Sequence, residues 1–304
     1  MTTSEIKFLI QKNTPSFVFK LIYSIWTNLL RPINEFKNNL RLKSFNSERM
    51  QKVKVCGEEF DILISPHRGT VDNEIFLQGS YEPEFLKLIK NNLDKGDTFV
   101  DIGANIGQHS LFASEVVEQK GKVISFEPIP LIYDQFNTSI AENNKRNKCE
   151  NIYLYNYACG EKDYETVIYT SDINMGASSM VDKSRGKQVS IKVIKADEIL
   201  KLENRVDLIK IDVEGYEYEA LIGLEETIKK FHPKVIIEYS PCYYVNEKEV
   251  SKRLILEFFL ERGYEIFDLE DNNNKVDMSY LEKVVKNKIL QTNFLAVYAK
   301  DNKN

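Results

Sequence analysis

Hydrophobic and polar residues follow a pattern that changes twice along this chain of 304 residues and so predicts three regions. Residues 1–50 have a basic, helical pattern and form a predicted N-terminal extension. In residues 51–80, alternating apolar residues on both sides of Cys56-Gly57-Glu58-Glu59 predict a β-hairpin. Residues 81–300 form a predicted α/β domain, which begins with a helix from Pro83 to Asn92 that has proline in its first turn.

Within that domain the predicted order is strand, helix, strand, helix. Five apolar segments are predicted as strands separated by helices: Thr98–Ile102, Val123–Phe126, Ile152–Tyr157, Asp207–Ile211 and Lys234–Tyr239. Two further strands, Tyr264–Leu269 and Phe294–Ala299, close the chain. Strands that alternate with helices form a parallel sheet covered on both faces, with ligands at the carboxyl ends of the strands. The spacing therefore predicts a Rossmann-like, mostly parallel sheet of seven strands, one of them reversed.

Two segments of the domain depart from the simple alternation or lie next to its fourth strand. The alternation lapses at about 165–195, which predicts an inserted pair of strands around a small polar tip at Asn174–Ser179. Such a tip is suited to lining an acceptor pocket. After the fourth strand, apolar residues from Tyr218 to Ile228 share one face, and Lys229 and Lys230 follow them, so a single helix is predicted there.

Composition narrows the function classes. Hydrophobic residues make up 42% of the chain and charged residues 29%, as in soluble globular proteins. The net charge of -5 disfavours a nucleic-acid backbone as partner, because phosphate binding needs an excess of Lys and Arg. The first 14 residues lack an apolar signal segment, so a cytoplasmic location is expected. The cysteines are widely separated, which predicts reduced thiols without zinc: Cys56, Cys149, Cys159 and Cys242.

The segment Phe17–Leu30 is apolar nearly all round and contains one charged residue, Lys20. It is shorter than the roughly 20 residues that a membrane-spanning helix needs. Packing within the protein is the favoured interpretation, since most apolar helices are buried against protein. A homo-oligomer contact and a peripheral position in a membrane interface stay open as alternatives.

The candidate chemistry begins at the segment from Val100 to Gly107, which connects a strand to a helix. Glycines there let the backbone turn sharply, and the free N–H groups of the next helix favour an anionic group. The G-x-x-x-G spacing differs from the dinucleotide pattern G-x-G-x-x-G and disfavours a nicotinamide-dependent oxidoreductase. Glu127 ends the second strand, where a carboxylate can accept both ribose hydroxyls of a nucleoside. The turn and the acid together predict S-adenosylmethionine as cofactor.

Several segments resemble the FkbM-type family of S-adenosylmethionine-dependent methyltransferases, over roughly Gly79 to Ala299. The segments that carry the resemblance are Gly79-Ser80-Tyr81-Glu82-Pro83, Gly96-Asp97-Thr98-Phe99 with Val100 to Gly107, Phe126-Glu127-Pro128, Ala158-Cys159-Gly160, Asn174 to Ser179, Ile209-Lys210-Ile211-Asp212-Val213-Glu214-Gly215-Tyr216-Glu217, and Ile237-Glu238-Tyr239. The resemblance implies a class I methyltransferase fold and O-methylation, commonly of sugar or polyketide hydroxyls. It says nothing about the first 50 residues.

The resemblance also implies where the cofactor binds. We expect contacts from the glycine turn and from the ends of the second and third strands: Asp101, Gly103, Asn105, Gly107, Glu127, Pro128, Asn156 and Ala158. Tyr81 and Glu82 precede the domain core and are expected to close over the cofactor as a lid. The alternative for these two residues is an ordinary surface turn.

Three acids lie at the carboxyl ends of predicted strands, where an alcohol acceptor would need a base or a metal. Glu214 is the favoured general base. Alternatively Asp212 and Glu238 hold a divalent cation such as magnesium, which prefers oxygen ligands, or Asp212 and Glu214 cap the next helix. The histidines are predicted to be structural: His67, His109 and His232.

The leading prediction is therefore an O-methyltransferase that acts on a sugar hydroxyl of a glycan, glycolipid or nucleotide-sugar. A polyketide, lipid or peptide acceptor is the nearest alternative. A cofactor-binding module without catalysis, serving in a complex, is an alternative from a different class. The intact acids at 212, 214 and 238 favour the enzyme.

Overall fold

The computed structural model describes residues 31–66, 68–170, 186–239, 250–270, 274–277, 279–280 and 292–299. The chain divides into two compact units, Met1–Ser47 and Glu48–Asn304. Helix α1 of the first unit spans Arg31–Ser44. The predicted apolar helix at 17–30 and the tip at 174–179 lie outside the described residues. None of the described helices combines the length and apolar composition that crossing a membrane requires.

The second unit opens with the predicted hairpin. Strands β1 (Arg49–Val55) and β2 (Glu58–Ile64) pair antiparallel. Cys56 and Gly57 both have positive φ, 52° and 88°, as the tightest two-residue hairpin turn requires. Helices α2 (Thr70–Gln78) and α3 (Pro83–Asn91) follow.

The remaining elements alternate as predicted. In chain order they are β3 (Thr98–Ile102), α4 (Gln108–Val117), β4 (Lys122–Phe126), α5 (Pro130–Asn144), β5 (Ile152–Tyr155), β6 (Ala158–Cys159), β7 (Tyr164–Thr170), β8 (Lys187–Ile194), α6 (Asp197–Leu200), β9 (Leu208–Ile211), α7 (Glu217–Ile222), α8 (Glu225–Phe231), β10 (Lys234–Tyr239), α9 (Val250–Glu261), β11 (Tyr264–Asp268), β12 (Asn274–Lys275) and β13 (Thr292–Tyr298). Strands β6, β8 and β7 form a separate small sheet, which is the predicted insertion.

The main sheet has the order β12-β11-β13-β10-β9-β3-β4-β5. Neighbours from β10 to β5 pair in parallel, and β13 runs antiparallel to both β10 and β11. The predicted Rossmann-like, mostly parallel sheet is confirmed. It has eight strands, one more than predicted, because the two-residue strand β12 adds to the edge antiparallel to β11. Strands β3 and β9 lie next to each other in the middle of the sheet and are buried along their whole length. Their carboxyl ends therefore meet at the centre of one edge of the sheet.

Helix α5 attaches the hairpin to this sheet through buried polar side chains. Asn143 accepts from the Asp61 amide (3.0 Å) and donates to the Asp61 carbonyl (2.6 Å). Ser139 accepts from the Leu63 amide (2.9 Å), and Gln135 donates to the Leu63 carbonyl (2.9 Å). Because these side chains recur every four residues, they form a row on one face of the helix. The row gives the backbone of β2 the partners that a neighbouring strand would otherwise supply.

The single helix predicted over 217–230 is wrong, because the chain breaks it at Gly223. Asp197 donates its amide to the Gly223 carbonyl (2.9 Å), and its carboxylate accepts from the amides of Glu226 and Thr227 (3.1 and 2.9 Å). A Cβ at Gly223 would lie 2.2 Å from the Gly160 carbonyl oxygen. A remote acid therefore starts a second helix where local periodicity indicates one continuous element.

Candidate functional site

The glycine turn joins the ends of three parallel strands. The Gly103 and Ala104 amides donate to the Phe126 carbonyl at 3.0 and 2.9 Å, and the Asp212 amide donates to the Ile102 carbonyl at 3.1 Å. Gly103 has φ 81°, and a Cβ there would lie 2.0 Å from the Asp212 carbonyl oxygen. No other residue fits this position, because both its conformation and its space require glycine.

Gly107 serves packing rather than access to a ligand. It has φ 88°, and a Cβ would lie 2.1 Å from the Phe136 ring. Asp101 also lies away from the cleft: it is fully buried and accepts from the Ser110 hydroxyl at 2.6 Å. The cofactor contacts implied for these two residues remain predictions, and neither residue lines the chambers described below.

Glu127 is buried at the end of β4, and each of its carboxylate oxygens accepts one backbone N–H. Asn105 donates to Oε2 and Ile129 to Oε1, both at 2.9 Å. Burial raises the pKa of Glu127 to about 7, although these two hydrogen bonds act to lower it. Each oxygen keeps a further lone pair, so the carboxylate can accept two hydroxyl groups from a ligand.

A first chamber of about 660 Å³ lies beside Glu127. Its walls are mostly apolar, and they come from strand ends, the start of α5 and the small sheet: Ile102, Phe126, Pro128, Ile129, Ile132, Tyr157, Ala158, Ile168 and Ile191. An apolar slot next to a carboxylate fits a nucleoside, with the base in the slot and the ribose on the acid. Asn156 lies outside the slot, where its amide donates to the Glu127 and Pro128 carbonyls at 2.9 and 3.1 Å.

A second chamber of about 780 Å³ is polar and adjoins the first. Gly103, Asn105, Asp212 and Glu214 line both chambers, so a ligand can extend from one into the other. The residues that line only the second chamber come from six elements or segments: Thr70, Val71, Tyr81, Ala104, Ile106, Gln108, His109, Lys210 and Glu238. The three predicted acids thus meet here, as expected from their places at strand ends.

Lys210 lies beneath the second chamber and is the polar residue of the apolar strand β9. Its ammonium contacts Asp101 Oδ1 (3.2 Å), the Gly103 carbonyl (3.2 Å) and Asp212 Oδ2 (3.3 Å). Burial acts to lower the pKa of Lys210, but the charges of Asp101 and Asp212 raise it above its ordinary value. The ammonium therefore links the glycine turn to Asp212.

Asp212 and Glu238 form a hydrogen-bonded pair of carboxyl groups. Burial and the Asp212 charge raise the pKa of Glu238, so this residue carries the proton and donates it to Asp212. Burial opposes ionisation of Asp212, yet the Lys210 ammonium and the Glu238 hydrogen bond hold its pKa below the ordinary value. The Asp212 side chain is 34% exposed and faces the cleft as a carboxylate. As a carboxylate it can accept a hydrogen bond from a ligand hydroxyl.

This arrangement does not fit the predicted magnesium site. A divalent cation prefers carboxylate oxygens, but the positive charge of Lys210 next to Asp212 and the proton that Glu238 shares with Asp212 both act against a second cation there. In the part of the chain that the structure describes, no three acidic, histidine or cysteine side chains cluster as metal ligands. Helix α7 begins after Tyr216, whose side chain makes no capping hydrogen bond, and the alternative that Asp212 or Glu214 caps this helix stays a prediction.

Tyr81 is fixed to the helix that follows the glycine turn. Its amide donates to Gln108 Oε1 at 2.7 Å, and Gln108 Nε2 donates to its carbonyl at 2.8 Å. Tyr81 lines the second chamber, and its hydroxyl bonds to Glu82, which is exposed. The lid predicted from these two residues remains a prediction, while the two hydrogen bonds with Gln108 fix the backbone of Tyr81.

The histidines occupy three different settings. His109 is 7% exposed, packs against Phe85 with ring centroids 4.9 Å apart, and lines the second chamber. Burial and the nearby Lys210 charge lower the pKa of His109 to about 4, so the imidazole is neutral. His232 stacks on Tyr298 at the far end of the sheet, as predicted, and His67 lies outside the described residues.

Sequence reasoning missed Gln108, the role of Lys210 and the apolar walls of the first chamber other than Pro128 and Ala158. A lysine between two isoleucines in a buried strand was a usable signal, because such a residue needs buried acidic partners. Ile168 and Ile191 could not be assigned, since their place in the chamber depends on how the small sheet docks.

The reversed strand β13 lies between β10 and β11 in the parallel sheet, and a cleft with a buried acid lies at the glycine turn. These features define a class I S-adenosylmethionine-dependent methyltransferase. The chain belongs to the FkbM methyltransferase family: the model described as "Methyltransferase FkbM domain" matches residues 101–266, more than half of the chain.

Two curated relatives support the enzyme class. The hexuronic acid methyltransferase AglP of Haloferax volcanii is 28% identical over 175 residues, which cover 57% of this chain and 67% of AglP. The methyltransferase sdnD of Sordaria araneosa is 28% identical over 182 residues, with 48% of this chain and 68% of sdnD covered. A crystal structure of methyltransferase FkbM from Methylobacillus flagellatus KT is similar at 17% identity and a TM-score of 0.44. That match covers 74% of this chain and about half, 52%, of the solved chain.

Proposed function

We propose that this protein transfers the methyl group of S-adenosylmethionine to a hydroxyl group of a sugar, carried by a glycan, a glycolipid or a nucleotide-sugar. The observation that carries the proposal is the place of Asp212, which lines both chambers as a partly exposed carboxylate. An alcohol acceptor needs a base at that boundary to take up its proton, whereas a module that only binds the cofactor needs no base. The name of the relative AglP, a hexuronic acid methyltransferase, supports a sugar acceptor.

The cofactor fits the first chamber and the boundary between the chambers. Glu127 would hold the ribose hydroxyls, the apolar walls the adenine, and the turn from Gly103 to Gln108 the amino-acid end. S-adenosylmethionine supplies a methyl group on a sulfonium, whose carbon–sulfur bond breaks as the methyl carbon joins the acceptor oxygen. The buried group formed by Lys210, Asp101, Asp212 and protonated Glu238 has a net charge of minus one, which suits a neighbouring sulfonium.

The chain's own residues then handle the proton. The acceptor hydroxyl loses its proton to the Asp212 carboxylate as the new carbon–oxygen bond forms. Lys210 and Glu238 hold Asp212 in place and in its ionised form before that step. Glu214, the base favoured by the sequence, has φ 49° and lines the same boundary, so it is the second candidate for this role.

Two measurements test the proposal. Isothermal titration should show binding of S-adenosylmethionine and none of NAD. Release of S-adenosylhomocysteine should then be followed with methyl glycosides of hexoses and hexuronic acids, beside lipid, peptide and polyketide alcohols. Turnover with a glycoside supports the proposal. Turnover only with the other alcohols would replace the sugar by a lipid, peptide or polyketide as the acceptor. Cofactor binding without any turnover would favour the module without catalysis.

The same assay tests whether turnover depends on a divalent metal ion. We expect turnover in EDTA to equal turnover with added magnesium, because the Lys210 ammonium takes the position next to Asp212 that a cation would need. Activity that is lost in EDTA and restored by magnesium would contradict this reading of the site. A cytoplasmic location and a contact through residues 17–30 stay predictions.

A further inference from the structure

Two residues that line the second chamber each have a buried side-chain atom without a hydrogen-bond partner among the described residues: Nε2 of His109 and Oε1 of Glu238. Buried polar atoms are nearly always paired, so each exception requires an explanation. His109 lies on helix α4 and Glu238 on strand β10, and the two residues line the same chamber. A shared ligand explains both atoms at once.

The protonation states limit what that ligand is. Glu238 donates its proton to Asp212, and because Oε1 has no partner this bond runs through Oε2. Oε1 is then the carbonyl oxygen of a carboxylic acid and only accepts hydrogen bonds. His109 is neutral, so its Nε2 either donates or accepts, depending on which ring nitrogen carries the proton. The ligand therefore has to donate to Glu238.

Charge limits the ligand further. Asp212 and Glu214 are acidic residues of the same chamber, and Lys210 already contacts Asp101, the Gly103 carbonyl and Asp212. A carboxylate placed against Glu238 Oε1 would meet an acceptor atom and an excess of negative charge, with no free cation among the described residues of the chamber. A hydroxyl group meets neither problem.

We propose that His109 and Glu238 bind a hydroxyl-bearing, uncharged part of the acceptor and so orient the reacting hydroxyl toward Asp212. The inference rests on the proposed function and deepens it, because it names the residues that select a polyhydroxylated group. The second chamber is partly open to solvent and is lined well beyond the glycine turn, by Thr70, Val71 and Tyr81 as well, so an acceptor group can enter beside the amino-acid end of the cofactor. His109 then acts in acceptor binding and not in cofactor binding.

The test compares substitutions at His109 that separate polarity from packing. His109→Phe keeps a ring against Phe85 and removes the unpartnered nitrogen, whereas His109→Gln keeps a polar atom near the position of Nε2. Phe85→Leu is the matched control, because it changes the contact with the imidazole ring without removing a polar atom. Each variant is titrated with S-adenosylmethionine, melted, and assayed with the methyl glycosides used above.

For His109→Phe we expect a Tm equal to or above the wild-type value, since an unpaired buried polar atom is replaced by an apolar group. Its affinity for S-adenosylmethionine should stay within about twofold, while kcat/KM for the glycoside falls about tenfold or more, the loss expected for one or two hydrogen bonds. His109→Gln should recover part of kcat/KM, and Phe85→Leu should lose less than His109→Phe.

Three results would overturn the inference. A tenfold loss of S-adenosylmethionine affinity in His109→Phe would assign the imidazole to the cofactor. Unchanged kcat/KM would make His109 a wall residue. A wild-type protein that binds the cofactor but methylates no glycoside would remove the proposed function, and the inference would fall with it; only the first two results leave the proposed function intact.

Discussion

Lys210 and Asp101 are register partners on the parallel strands β9 and β3, and their side chains form a buried ion pair with Nζ 3.2 Å from Oδ1. Replacing a buried ion pair by apolar residues is often neutral or stabilising, so the pair is weak evidence of a role in stability. What it supplies here is a fixed ammonium next to Asp212. The two roles can be separated by mutation.

Lys210→Met should lower the free energy of unfolding by about 3–5 kcal/mol, because it leaves the Asp101 carboxylate buried without its cation. The double variant Asp101→Asn with Lys210→Met should regain most of that loss. Urea unfolding of both variants measures it. Lys229→Met, at a half-exposed position, is the control and should change stability by less than about 0.5 kcal/mol. Equal losses in single and double variants would contradict the pairing.

Asp212→Asn should reduce turnover about 100- to 10,000-fold, the contribution typical of a general base. Glu238→Gln should lose less, because burial and the Asp212 charge raise the pKa of Glu238, and Gln resembles the protonated acid and still donates to Asp212. Glu214→Gln belongs in the same series. Single-turnover rates at saturating cofactor measure all three. A larger loss in Glu214→Gln than in Asp212→Asn would return the role of base to Glu214.

Cofactor binding should weaken below neutral pH. Burial raises the pKa of Glu127 to about 7, so its carboxylate is ionised above that pH and protonated below it. If the ionised form binds the ribose, affinity for S-adenosylmethionine is complete at pH 8 and falls by up to about tenfold per pH unit below 7. Titration calorimetry at pH 6 and pH 8 measures the change. Glu127→Gln should bind more weakly at pH 8 and lack this part of the pH dependence.

The same pKa has a consequence for stability, with a sign that follows from linkage. Between pH 4.5, the ordinary value, and about pH 7, the folded protein holds a proton on Glu127 that the unfolded chain has released. This group therefore lowers the free energy of unfolding as pH rises through that range. Glu127→Gln should flatten the difference between pH 5 and pH 7, and an unchanged difference would show that other groups govern it.

Asn143→Ala should destabilise the protein strongly for a single polar residue. It removes both partners of the Asp61 backbone, and each buried backbone group left unpaired costs about 1–3 kcal/mol. Asn144→Ala is a matched control on the same helix, since the Asn144 side-chain oxygen has no partner in the described residues. Chemical denaturation should show a large loss for the first variant and a small one for the second.

Sequence patterns predicted the sheet and the placement of the acids for a clear physical reason. Strands such as Thr98–Ile102 and Lys234–Tyr239 are apolar segments bounded by turns, and their observed bounds match the predicted ones. Because parallel strands end on one edge, Asp212 and Glu238 had to lie near each other once the strands were assigned. Their separation and their protonation could not follow from spacing.

The errors share another cause, which is contact between residues distant in sequence. Asp197 divides the predicted single helix at Gly223. The Lys210 ammonium, with Nζ 3.3 Å from Asp212 Oδ2, disfavours the alternative of a magnesium site at Asp212 and Glu238. In each case the local pattern is compatible with two outcomes, and a partner far along the chain decides between them.

The row of Gln135, Ser139 and Asn143 also affects how the protein can associate with other molecules. A two-stranded hairpin has two open edges, and an open edge can recruit a strand from another chain and start aggregation. Along β2 the backbone groups of Asp61 and Leu63 are already bonded to helix side chains. That edge is thereby closed to intermolecular strand pairing without the help of a third strand.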